Sequence, residues 1–114
     1  MSKNDEKIEV ILERITSIKT QLNELGELRP GSISQQYNVC GNPTCRCKDK
    51  KNPQKHGPYH KLSYKRKGKG STEFIKEGDL DKVTEQIANY KKLKELTGEW
   101  IDLSIELAAL RKTV

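Results

Sequence analysis

The residues of this chain best suited to metal or redox chemistry are three cysteines and two histidines, and all five lie in one stretch, CGNPTCRCKDKKNPQKHGPYH, residues 40–60. Zinc takes four tetrahedral Cys or His ligands, delivered from tight turns so that the thiolates converge on one ion. Cys40, Cys45 and Cys47 supply three sulfurs, with Gly41 and Pro43 shaping the first turn. The fourth ligand is expected to be a histidine. His56 stands before Gly57 and Pro58 in an expected loop, whereas His60 falls inside an expected strand, so His56 is favoured and His60 is the alternate. A closed four-ligand site leaves no open position for water, so the zinc would be structural. A sulfur-rich tetrahedral site also admits iron, and three other readings of the cysteines stand beside the metal, a strained Cys45–Cys47 redox couple, small buried hydrophobes and unrelated surface thiols.

Charge gathers around the same stretch. From Arg46 to Lys69 ten Lys or Arg face one acid, Asp49, which gives +9; the whole chain carries +6, so the remainder is −3. A local excess of this kind attracts polyanions. Lys50, Lys51, Lys55, Lys61, Lys65, Arg66, Lys67 and Lys69 are candidate contacts to a nucleic-acid backbone, DNA or RNA, and Arg46, between two proposed ligands, is a candidate for a specific contact. Tyr59 and Tyr64 are interleaved with these cations; their rings either stack on unpaired bases or pack a hairpin onto the helices. No base-specific signal is visible.

Composition excludes several classes. At 114 residues, 33% charged and 32% hydrophobic, the chain has room for one small domain with a thin core, which a bound ion would help to fold. No apolar run approaches the ~20 residues of a membrane span, and no signal region follows the charged start, so a cytoplasmic protein with no membrane partner is expected. There is no glycine-rich phosphate loop, no acid pair in a recognisable motif and no Ser, His and Asp arrangement, so an enzyme is not expected.

Two helices are expected to flank the cysteine segment. Ile8, Ile11, Ile15, Ile18, Leu22 and Leu25 recur in steps of three and four, which predicts a helix over residues 4–28, capped by Asn4 or Ser2 and stopped by Pro30 and Gly31. Leu80, Val83, Ile87, Tyr90, Leu93, Leu96, Trp100, Leu103, Leu107 and Leu110 predict a second over 79–112, with Gly98 marking a bend or a close helix contact. Between them, YHKLSYKRKGKGSTEFI reads as strands over 59–66 and 71–75 joined by a Gly-Lys-Gly turn, and 33–39 as a short third strand. The expected architecture is a single domain over 1–114, mainly α: an antiparallel, coiled-coil-like two-helix hairpin, its tip a zinc knuckle and basic β-hairpin over 29–78. The second helix outlasts the first by nine residues, which leaves Trp100 to Leu110 partly unpartnered and invites a homodimer.

The stretches LRPGSISQQYNVCGNPTCRC and HGPYHKLSYK, followed by a long helix from DLDKVTEQIANYKKLKEL, resemble a bacterial and archaeal family of small uncharacterised proteins often met beside transposases. The resemblance covers residues 28–110 and rests on Arg29, Pro30, Gly31, Ser32, Tyr37, Cys40, Gly41, Cys45, Cys47, His56, Gly57, Pro58 and Tyr59. It implies His56 as the fourth ligand, since the position of His60 is commonly aromatic there, and a transposase or recombinase as a partner. Two functions follow as expectations: a DNA-binding zinc protein accessory to a mobile-element or recombination system, or a coiled-coil adaptor that docks on a larger enzyme without binding nucleic acid.

Overall fold

The computed structural model describes the backbone of residues 2–38 and 56–112 and the side chains of 2–37 and 58–112. In chain order the elements are α1 (Lys3–Glu24), β1 (Ser32–Asn38), β2 (His56–Arg66), β3 (Lys69–Ile75), a 3-10 turn (Glu77–Asp79) and α2 (Leu80–Leu110). They form two compact units, Met1–Leu28 with Ala88–Val114, and Arg29–Ile87.

In the first unit, α1 starts at a capping box. The Asp5 N–H donates to the Ser2 hydroxyl at 3.2 Å, and the Asp5 carboxylate accepts from the Ser2 N–H at 3.4 Å. The three-and-four spacing puts Ile11, Ile15 and Ile18 on one buried face, and α2 contributes buried Leu96. The helices run antiparallel: Arg14 holds Glu99 through a fork whose Nη2–Oε1 arm is 2.8 Å, while the Asn89 amide donates to the Glu27 carbonyl at 3.0 Å. The hydrogen bond from Arg14 holds the Glu99 carboxyl below the usual carboxylate value. The Lys19 ammonium lies 5.2 Å from the centre of the Trp100 ring.

Three details of this unit differ from the sequence reading. Helix α1 ends at Glu24, before residue 28, because Leu25 turns extended. At the adjacent Gly26 a Cβ would lie 3.3 Å from the Asn89 side chain. No close contact exists at Gly98, where a Cβ would meet nothing within 4 Å and α2 runs unbroken. Trp100 is half-buried beside Lys19, and Leu103 shares a groove with Val10 and Ile11, so the large apolar side chains exposed in the expected surplus are Ile101 and Ile105, 60% and 66% accessible.

The second unit is a three-stranded antiparallel sheet in the order β1-β2-β3. Leu62, in the central strand, is fully buried and packs with Val83 and Ile87 of α2, flanked by Ile33 of β1, Tyr64 of β2 and Ile75 of β3. Gly31, which leads into β1, has φ 122°, and a Cβ there would stand 2.6 Å from the Ser63 carbonyl oxygen. Only glycine fits this approach. The turn between β2 and β3 is two residues, Lys67 and Gly68, with φ 52° and 80°. Positive φ at both is the signature of a type I′ turn, whose twist matches that of the strands.

This corrects the expected architecture. The fold is not a two-helix hairpin carrying a small β-hairpin, because the sheet has three strands and a core of its own. An isolated two-stranded hairpin is marginal in water, and β1 with the first turns of α2 completes what the hairpin lacks. Val83 and Ile87, assigned from sequence to the helix seam, serve the sheet. The turn is shorter than the expected Gly-Lys-Gly, so β3 begins at Lys69, and β2 reaches back to His56, which opens a strand rather than lying in a loop. Among the described residues no helix is long and apolar enough to cross a membrane.

These environments predict opposite outcomes for two small substitutions. Leu62→Ala removes a fully buried side chain and is expected to cost about 2–5 kcal/mol. Gly98→Ala adds a methyl into open space on a helix and is expected to gain up to about 1 kcal/mol. Urea unfolding checks both, and an unchanged midpoint for Leu62→Ala would contradict the core as described.

Candidate nucleic-acid interface

A strand turns alternate side chains to opposite faces, so burying Leu62 fixes the direction of every neighbour in β2. His60 and Tyr64 share its face: His60 is 9% accessible, opposite Gln35 and Ile75, and Tyr64 packs on the core. Tyr59, Lys61, Ser63 and Lys65 take the other face. Register extends that face sideways, with Gln36 opposite Tyr59, Ser34 and Phe74 flanking Lys61, Ser32 and Thr72 flanking Ser63, and Gly70 opposite Lys65.

This open face is basic and aromatic. Phe74 is 62% and Tyr59 41% accessible, and their rings meet edge to face at 6.3 Å and 71°. Tyr59 and Phe74 are diagonal neighbours across the β2–β3 ladder, within aromatic reach. The single acid of the three strands, Glu73, lies on the helix-covered face, where Arg29 Nη1 holds it at 2.8 Å. Lys65, Arg66, Lys67 and Lys69 crowd the turn, all exposed and none ion-paired with another described residue. Five cations and no acid lie between His56 and Lys69.

Of the residues singled out from sequence, Lys61 and Lys65 lie on the open face, while Arg66, Lys67 and Lys69 form the turn and its flanks. The two tyrosines separate, Tyr59 to the open face and Tyr64 to the core. Cys40, Cys45, Cys47, Arg46, Lys50, Lys51 and Lys55 lie outside the described residues, and His56 is described by its backbone alone, paired with Asn38. Among the described residues no three His, Cys, Asp or Glu side chains gather where a metal could sit.

Phe74 was missed from sequence. In EFI the adjacent Phe74 and Ile75 must point to opposite faces, and the turn decides which goes inward. With a two-residue turn Ile75 pairs with His60 and Phe74 with Lys61; a three-residue turn at Gly68–Gly70 hides that register.

The family model described as a domain of unknown function, DUF6788, matches residues 8–85. No curated protein and no solved structure matches the chain. The family match covers more than half of the sequence, including the whole sheet, most of α1 and the first turn of α2, so the chain belongs to the DUF6788 family.

Proposed function

We propose that this protein is a small nucleic-acid-binding zinc protein of the cytoplasm, acting on DNA as an accessory to a mobile-element or recombination enzyme. One observation carries the binding reading: Lys65, Arg66, Lys67 and Lys69 sit together at an exposed turn with no acid among them. Phosphate oxygens are the partner that such a cluster fits, and releasing their counterions drives association. The backbone at Lys67 adds to this. Asn, Asp or Gly adopts its positive φ with less strain than lysine does, so a cation is kept there at a conformational cost. The recombination partner is drawn from the resemblance in the sequence.

The zinc reading rests on Cys40, Cys45, Cys47 and His56, with His60 as alternate. Asn38 and His56 are ladder partners, so the two ends of the cysteine-bearing segment are neighbours, and the first cysteine follows Asn38 by two residues. That pairing supports a ligand set drawn from both ends of one closed segment. His60, turned toward the sheet core, is less suited to it. Zinc would then anchor the far end of β2 as the type I′ turn fixes the near end.

A second reading is favoured by a different observation. Ile101 and Ile105 are exposed beside Trp100 and Ala108 on one stripe of α2, which suits a second copy of the chain or an adaptor role.

Metal analysis of protein purified without chelator is expected to find one zinc per chain, lost in Cys45→Ser; metal-free, fully folded protein would remove the zinc from the proposal. Binding to DNA is expected to weaken steeply with salt, and Lys65→Glu with Lys67→Glu to abolish it while helicity is kept. Lys67→Asn separates function from fold: it is expected to raise stability by up to about 1 kcal/mol and to lower the salt slope by about one. Salt-insensitive or absent DNA binding, together with a dimer by sedimentation that Ile105→Glu dissociates, would favour the adaptor.

A further inference from the structure

The lysine-rich turn explains attraction to phosphate but not the aromatic pair behind it. Phe74 and Tyr59 are large apolar groups held on a face that no described element covers, in a molecule short of core material. Burial would have been available to them on the other face, where Ile75 and Tyr64 lie. Their row also holds Lys61, the Cα partner of Phe74, and Lys65 stands four residues along the same strand. The remaining side chains of the face, Ser32, Ser34, Gln36, Ser63 and Thr72, are neutral and, Gln36 apart, short, so nothing acidic stands between the rings and an approaching strand.

We infer that the open face of the sheet binds single-stranded nucleic acid, with unpaired bases stacked on Phe74 and Tyr59 and the flanking phosphates held by Lys61 and Lys65. The chemistry selects the single strand. A duplex hides the faces of its bases and offers these residues its phosphates, sugars and groove edges, whereas every unpaired base offers a π-face to a ring. Protein partners are disfavoured by charge, because the face and its turn carry only cations, and the polyanion that complements them is a phosphodiester chain. Phe74 sits at the ladder position next to Lys61, so a base on the ring and its phosphate on the ammonium use neighbouring sites. The edge-to-face contact of Tyr59 holds the Phe74 ring in place before the strand arrives. Because stacking reads no hydrogen-bond edge, the site takes bases with little regard to sequence.

This inference rests on the nucleic-acid reading above, and the two fail differently. Affinities of the full chain are measured by fluorescence anisotropy for an oligothymidylate, for a duplex of equal length, and for an abasic strand carrying the same number of phosphates. The expected order is oligothymidylate tightest, with the abasic strand weaker by tenfold or more. Phe74→Ala is expected to weaken oligothymidylate binding by about five- to a hundredfold, with the abasic strand and the salt slope unaffected. Phe74→Tyr is expected to restore it. Phe74 is mostly exposed, so circular dichroism and unfolding should match the parent, and Phe74→Leu controls for loss of bulk. Equal affinity for the abasic strand and the oligothymidylate, or full binding by Phe74→Ala, would overturn stacking and leave phosphate binding standing. Failure of all three probes to bind would remove both readings.

Discussion

The packing of Leu62 against Val83 and Ile87 is the contact on which the rest of the sheet unit depends. A strand repeats every two residues, so a slip of one position in β2 would exchange Tyr59, Lys61, Ser63 and Lys65 for His60, Leu62 and Tyr64. The cost of exposing Leu62 and burying lysine forbids that exchange. One apolar side chain thus sets the chemistry of a whole face. The flanking strands follow the same rule, since Ile33 and Ile75 are the ladder partners of Leu62 and His60.

Helix α2 divides its apolar residues between two cores. Val83 and Ile87 complete the sheet, while Leu96 lies in the unit that holds α1, with Arg14–Glu99 and Lys19–Trp100 fixing the antiparallel register there. The Arg14–Glu99 pair is exposed, and an exposed ion pair contributes little to stability, so burial of Ile11, Ile15, Ile18 and Leu96 supplies most of the pairing energy. A 31-residue helix used by two small cores reduces what each must build for itself.

The helices were legible in the sequence because their periodicity is a local property. The stripe from Ile8 to Leu22 and the Ser2–Asp5 cap can be read without knowing any partner. The sheet was only half legible. SISQQYN offers one core residue, Ile33, and a strand that is mostly polar carries little signal until its partner is known. Which of two apolar seams Val83 and Ile87 served was equally invisible, because period alone does not say what a stripe faces. At the candidate site the cations were read directly from composition, whereas Phe74 required the register, and the register required the turn. Lys67 and Gly68 were obscured by the second glycine at Gly70, which invited a longer loop than the strands allow.

The face opposite Leu62 is proposed to be where a phosphodiester strand lies. Backbone amide NMR shifts recorded while oligothymidylate is added at low salt test it residue by residue. The largest changes are expected at Lys61, Ser63, Lys65, Thr72 and Phe74, with Ile11, Ile15 and Leu96 undisturbed. Changes confined to the helices, with the amides of β2 and β3 unmoved as the strand saturates, would contradict it.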